Sequence, residues 1–483
     1  MGISTDSSRA ASNDVSANNT LVIGGGPAGL TVAYQLTKQQ QQCHVLEADA
    51  IYLGGIARSV VHQGYRCDIG GHRFFSKSKQ VNDLWHEVLS ADEFIVRQRK
   101  SRIYYGNKFY DYPLRPINAL LNLGLLESFL AVWSYLVALL KPVPQPVNFE
   151  QFMTNRFGAR LYRHFFKSYT EKVWGRKCTD ISSDWAAQRI KDFSLLAALK
   201  EAFSLTKQNQ RAVHATLVNS FHYPKLGCGM MWERMGERIV AQGGKVSLGK
   251  RVTSCCLAAD GKWQLTAVSG ECYHADHVVS SMAIKDLATV LRAQISDDLY
   301  RVMNSFTYRD FLVVCLIVDS GETFDDQWIY VHDPNLKVGR VQNFKSWSPD
   351  MIPATDRNLL GMEYFCNQGD ECWQRSDTEL IAVATLELQA LGLAKQVYGG
   401  YVVRQLQAYP VYEGGYAEKL VFVRQELAET CPNLHLVGRN GMHRYNNQDH
   451  SMLSAIATAV NIMAGKQVHD PWAISEDRDY LEV

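Results

Sequence analysis

The stretch Leu21-Val22-Ile23-Gly24-Gly25-Gly26-Pro27-Ala28-Gly29 decides how the chain folds. Its apolar run reads as a strand. Gly24-x-Gly26-x-x-Gly29 then ends the strand and opens a helix whose apolar face is Leu30, Val32, Ala33 and Leu36. His44-Val45-Leu46 reads as a second strand, with Glu47 at its carboxyl end. Strand, crossover helix and parallel strand make a βαβ unit, so an α/β fold on a parallel sheet is expected. In such a unit the first glycine permits the tight turn. The second lets backbone approach a pyrophosphate, and the third lets helix and strand close on each other. Unpaired N–H groups and the positive end of the helix dipole then face the ligand. Glu47 can accept both hydroxyls of an adenosine ribose and would repel a 2′-phosphate, which disfavours NADP.

Working outward, Leu53-Gly54-Gly55-Ile56-Ala57-Arg58-Ser59 follows the Glu47 strand, and Asp68-Ile69-Gly70-Gly71-His72-Arg73-Phe74 comes soon after. Two further glycine pairs lay more backbone against an extended ligand than NAD needs, and Arg58 is expected to be free to neutralise phosphate. Nearly four hundred residues later, Leu434-His435-Leu436-Val437 runs as a strand into Gly438-Arg439. A helix follows over about 451–464, with Met452, Ile456, Val460 and Met463 at helical spacing. Both distant features end a strand at a glycine and start a helix, so one ligand could lie against both and the nucleotide-binding domain would be discontinuous. Between them, 85–215 reads as mostly helical, including 149–169 and 185–203. From Gly244 the pattern changes to strands at 245–248, 263–266 and 277–280. Phe311 to Val318 is apolar enough for a strand buried on both faces.

Of the 483 residues, 46% are hydrophobic, and 50 Lys and Arg face 49 Asp and Glu, a net charge of +1. No global field attracts nucleic acid, and none is expected as a partner. The 11 Cys residues show no C-x-x-C spacing, so no metal is expected and a reducing, cytoplasmic setting fits. Residues 1–19 lack the apolar core of an export signal and read as a flexible tail. Ala119 to Leu140 has the length to span a bilayer, but Asn122 and Glu127 interrupt it and Pro142, Pro144 and Pro146 end it. The expectation is a buried or interfacial helix, with membrane-surface contact the less favoured role.

The Gly54-Gly55 and Gly70-Gly71 segments resemble the second motif of the FAD-binding group that includes amine oxidases, protoporphyrinogen oxidase and UDP-galactopyranose mutase. Tyr169-Thr170-Glu171-Lys172-Val173-Trp174-Gly175 is similar to a mutase segment, with Arg189-Ile190 following at nearly the mutase spacing. Gly339-Arg340-Val341, Tyr409-Pro410-Val411, and Gly438-Arg439 with Tyr445 also resemble mutase motifs, so the likeness runs in order from Leu21 to Ala464. It implies a Rossmann-like FAD-binding domain of the GR2 type, assembled from 20–78, 225–296 and 415–470. A mainly helical substrate region, 79–224, and a sheet-containing substrate domain, 297–414, would be inserted into it.

The resemblance further implies that FAD lies against Gly24, Gly26, Gly29, Glu47, Gly55, Arg58, Gly70, Gly71, His72, Val252, Gly438, Arg439 and Gln448. The implied substrate is a sugar diphosphate. Tyr169 and Trp174 would pack on its nucleotide, Arg189 and Arg340 would grip the pyrophosphate, and Tyr409 and Tyr445 would position it. Arg189, Arg340 and His72 are the catalytic candidates, with flavin N5 as the nucleophile and NAD(P)H as a candidate external reductant. Two departures stand out. The mutase Tyr-x-Asp-Met-His is here Tyr445-Asn446-Asn447-Gln448-Asp449-His450, which replaces the carboxylate by Asn447 or displaces it to Asp449. His72-Arg73-Phe74-Phe75-Ser76 replaces His-x-Phe-His-Thr. The alternative on the same scaffold is a protoporphyrinogen-oxidase-like or amine-oxidase-like enzyme that removes hydride from an apolar or amine substrate.

Overall fold

A computed structural model describes residues 19–114, 116–183, 220–319, 324–353 and 356–476. Five parallel strands form one sheet, in the order Leu434–Leu436, His277–Ser280, Thr20–Ile23, Cys43–Leu46, Lys245–Ser247. Its strands come from three separated parts of the chain, because a parallel pair needs a long crossover and two crossovers here hold whole inserted regions.

Alternation along the central strands sends side chains to two cores. Val22, Val45 and Val279 meet the helices Pro27–Lys38, Gly229–Ala241 and Gln448–Ala464. Leu21, Ile23, Leu46 and Val278 meet the antiparallel strands Val252–Leu257 and Trp263–Ala267 and the helix Tyr416–Thr430. The fingerprint strand, the crossover helix and the distal strand and helix thus form where the sequence pattern puts them.

A second, seven-stranded sheet runs Val397–Pro410, Tyr308–Asp319, Arg357–Cys366, Arg340–Asn343, Trp328–Val331, Ser101–Tyr105, Lys108–Asp111. Its pairings are antiparallel except where Trp328–Val331 meets Ser101–Tyr105. The run Phe311–Val318 is the middle of a strand paired on both sides and buried nearly throughout.

Two expectations need correction. The reading of 85–215 as mostly helical misses strands at Phe94–Gln98, Ser101–Tyr105 and Lys108–Asp111, while its 185–203 helix lies outside the described residues. The last two close through Gly106 and Asn107, both at positive φ (57 and 61), as a two-residue hairpin turn demands. Over 119–140, in place of the single buried or interfacial helix expected, the chain forms two helices, Pro116–Leu123 and Leu125–Leu140, broken at Gly124 (φ 87), and the second is not a buried one. Of the second, only Ala131, Tyr135 and Ala138 are buried. No helix among the described residues is long and apolar enough to cross a membrane.

Candidate functional site

The carboxyl ends of the parallel strands gather the expected cofactor residues on one edge. Gly24 continues Ile23 at φ +101, a conformation natural to glycine, and a Cβ on Gly29 would lie 2.0 Å from Gly24 O. The helix Pro27–Lys38 has no side-chain cap, which leaves its first N–H groups to a ligand. Glu47 accepts from Gly25 N at 2.6 Å and from Asp49 N at 2.7 Å, so its carboxylate is fixed beside the glycine turn. Val252 opens the strand that follows Gly249 and Lys250, whose N–H groups bond Asp49 O (2.9 Å) and Glu47 O (2.7 Å).

Gly55 lies directly across from Gly26: a Cβ on Gly55 would come within 3.3 Å of Gly26 Cα, and Gly54 N donates to Gly25 O at 2.7 Å. The distal motif arrives at the same place. Gly438 (φ +75) faces the crossover helix so closely that a Cβ would lie 2.7 Å from Ala28 Cβ. Gln448, the first residue of Gln448–Ala464, is 3.3 Å through Nε2 from Cys228 Sγ. Arg58 is not free as expected. Its Nη1 donates to Gly55 O (2.8 Å) and Gln405 Oε1 (2.6 Å), and Nε, 3.7 Å from Asp49, is buried without a hydrogen-bond partner. A glycine-walled cradle, an uncapped helix start and a fixed carboxylate fit the phosphates and ribose of FAD.

Next to this edge, the loop Gly70-Gly71-His72 meets the seven-stranded sheet. Arg340 Nη2 would lie 3.6 Å from a Cβ on Gly70, and His72 Cε1 3.5 Å from it. Arg340 Nε donates to Glu363 Oε2 at 2.5 Å, and Gln342 Nε2 donates to Oε1 at 2.8 Å. Glu363 is wholly buried. Burial works against the Arg340 charge, but the pull of Glu363 outweighs it and holds the guanidinium above its ordinary pKa. Among the described residues nothing accepts from the Nη groups of Arg340, so its outer edge can serve an anion.

Aromatic rings frame that edge. Tyr169 stacks on His332 (4.8 Å, 19°) and meets Tyr330 edge-on at 5.4 Å. Tyr409 stacks on Tyr445 (5.6 Å, 13°), Trp174 lies 6.4 Å from Tyr445, and Arg439 sits 4.8 Å over the Tyr445 ring. Arg439 itself is engaged, donating from Nε to Asn446 O (2.8 Å) and from Nη1 to Ala408 O (3.2 Å). Burial pushes the Tyr169 and Tyr409 hydroxyls well up, so both stay protonated donors at neutral pH. Lys172 donates Nζ to Val331 O (2.9 Å), Asp333 O (2.7 Å) and Val338 O (3.3 Å), the first two being the carbonyls that flank His332. Asp449 turns its carboxylate to Ser76 Oγ (3.2 Å) and His450 N (2.9 Å), tying the loop after His72 to the distal helix.

The structure thus gathers Tyr169, Trp174, Arg340, Tyr409, Tyr445 and His72 around one edge of the cofactor cradle; Arg189 lies outside the described residues. Sequence reading missed Tyr330, His332, Gln342 and Glu363. The last had a signal, a lone acid inside the otherwise apolar stretch Leu359–Cys366 of the strand Arg357–Cys366.

The profile of flavin containing amine oxidoreductases matches residues 27–463. A crystal structure of reduced UDP-galactopyranose mutase is similar at TM-score 0.79 and 20% identity, covering 95% of this chain and 99% of that one. A protein from Exiguobacterium sp. 255-15, provisionally assigned as a protoporphyrinogen oxidase, aligns at TM-score 0.69 and 17% identity, covering 93% and 98%. A fatty acid isomerase from P. acnes that produces CLA aligns at TM-score 0.61 and 12% identity, covering 92% and 98%. At these identities the likeness to the solved structures is one of fold.

Proposed function

Because the chain belongs to the flavin containing amine oxidoreductase family and is an FAD-dependent flavoenzyme, we propose that its substrate is a nucleotide-diphosphate sugar or a related glycosyl diphosphate, handled as in UDP-galactopyranose mutase. The observation that carries this reading is Arg340. A guanidinium anchored on a buried carboxylate, with its outer edge unspent among aromatic rings, is built for a diphosphate beside a flat group. An amine substrate would be repelled by the outer edge of Arg340, and a purely apolar one would leave its Nη groups without an acceptor.

FAD, when bound, supplies the reactive ring, with N5 as the expected nucleophile toward an anomeric carbon. The chain would supply the rest. Gly24, Gly26, Gly29, Gly55 and Gly438 make room for the cofactor, and Glu47 takes its ribose. Arg340 stabilises charge on the departing diphosphate, with Arg189 proposed as the second cation. Tyr169 and Trp174 hold the flat moiety, and Tyr409 and Tyr445 donate hydroxyls toward the phosphates. His72, half-buried on the Gly70-Gly71 loop, shapes the flavin face. Substrate held on rings rather than flexible side chains pays less ordering entropy.

The test is turnover by dithionite-reduced protein with UDP-galactose, UDP-galactofuranose or a dTDP-sugar. Interconversion of ring forms without consumption of an electron acceptor is expected. Turnover that consumes an acceptor stoichiometrically would overturn the mutase reading in favour of net oxidation.

A further inference from the structure

The helix Leu125–Leu140 is put together backwards for a protein in water. Its buried stripe is narrow and small, Ala131, Tyr135 and Ala138, and rests on the helix Phe149–Tyr162. Contact there is backbone to backbone, since a Cβ on Gly158 would lie 2.7 Å from Tyr135 N. The large apolar side chains point the other way. Leu125 is 93% exposed, Leu126 74%, Phe129 66%, Trp133 59% and Leu140 82%. No other described element covers them, and Leu121 extends the patch onto the preceding helix. Scattered exposed hydrophobes are ordinary, but a continuous helical face of this size marks an interaction surface.

Charge identifies the occupant. From Lys108 to Lys167 the chain carries 7 Lys and Arg against 3 Asp and Glu, while the remainder carries 43 against 46. The chain's balance of +1 therefore hides a basic stretch of sequence in which this helix pair lies. The helix's single acid, Glu127, is neutralised by Arg160 Nη1 at 2.6 Å and faces His164 Nε2 at 2.8 Å. Lys141, directly after the helix, and Arg163 and Lys167, on the segment that follows Phe149–Tyr162, are exposed. A second copy of this chain would bring its own basic stretch against this one and gain nothing from the sign of the charge. Acidic headgroups above an apolar interior complement both features at once.

We propose that the Leu125–Leu140 face docks on the surface of an anionic lipid bilayer, lying in the interface without crossing it. The segment the helix rests on, kinked at Gly158, continues through Arg163–Lys167 into Ser168–Trp174, which carries Tyr169 and Trp174. Docking stands independently of which substrate the site takes.

Full-length holoprotein is mixed with vesicles of phosphatidylglycerol in phosphatidylcholine, or of phosphatidylcholine alone, and sedimented. The wild type should bind the anionic vesicles, less so at high salt. A variant with Phe129→Ser, Trp133→Ser and Leu136→Ser should lose about tenfold in binding while keeping its flavin. Absence of wild-type binding, or equal binding by the variant, overturns the proposal. So does light scattering that shows a wild-type dimer which the variant dissociates, because a second copy would then own the face. Nucleotide-sugar turnover measured on the same variant reports separately on the substrate reading.

Discussion

Arg340 and Glu363 stand on paired strands and meet at 2.5 Å, the carboxylate fully out of water and the guanidinium side chain 15% exposed. The second carboxylate oxygen takes Gln342, whose own carbonyl takes Trp347 Nε1 at 2.7 Å. Glu363→Gln keeps the shape but leaves a buried arginine without its counter-charge, which costs on the order of 3–5 kcal/mol of stability. Arg340 would then turn toward other acceptors, and affinity for a sugar diphosphate should drop by roughly ten- to a hundredfold. Flavin content should stay unchanged, because none of these residues forms the glycine cradle. Equal loss of flavin, read at its visible absorbance, would place the pair in the cofactor site instead.

Gly29→Ala tests the cradle. The added methyl would stand 2.0 Å from Gly24 O and 3.0 Å from Val22 Cγ1, both part of the fingerprint strand and turn. Helix and strand must part, and the helix start moves away from the phosphates. The purified wild type should be yellow, while the variant should be nearly colourless and melt earlier. A variant with full visible absorbance would sink the assignment of the cofactor to this turn.

How much could be read beforehand follows from what each pattern encodes. Gly24, Gly29 and Gly438 mark places where no side chain fits, a local demand that spacing displays directly. The meeting of Gly438 with Ala28 was legible because each strand-to-helix turn announces itself. Glu363 was not, since its role arises only when the register sets it opposite Arg340. Arg58 was misread for the same reason: Gln405, on a strand almost 350 positions away, claims its Nη1. Apolar residues over 119–140 announced a helix but not its orientation, because composition cannot tell a buried face from a presented one.

Asp68 gives the pH dependence. It closes the strand before Gly70 and is buried, accepting from Ser59 Oγ at 2.5 Å, from the Tyr223 hydroxyl and from Cys228 N at 3.1 Å. Burial, only partly offset by those donors, pushes its carboxyl up to about 6. A folded pKa above the unfolded one makes the contribution of Asp68 complete below about pH 4 and lost as the pH rises through about 6. The stability of wild type relative to Asp68→Asn should therefore fall between those limits, by at most ~3 kcal/mol. Melting curves of both proteins across that range check it. A constant difference would mean that the donors hold the carboxylate ionised throughout.

Lys172→Met separates support from chemistry on the helix that carries Tyr169 and Trp174. Burial pulls the ammonium down to about 8, yet at neutral pH it remains charged and ties together three carbonyls of the 331–338 segment. That segment contains His332, the ring on which Tyr169 rests, and burial lowers its pKa to about 3, so the stack is uncharged at working pH. Methionine fills the volume but abandons the carbonyls, at about 1–3 kcal/mol for each that water cannot reach. The Tyr169–His332 platform should loosen. KM for the sugar diphosphate should then rise several-fold, with kcat and flavin content nearly unchanged, since Lys172 gives all three of its donors to carbonyls. A fall in kcat at constant KM would instead make the lysine a participant in the reaction.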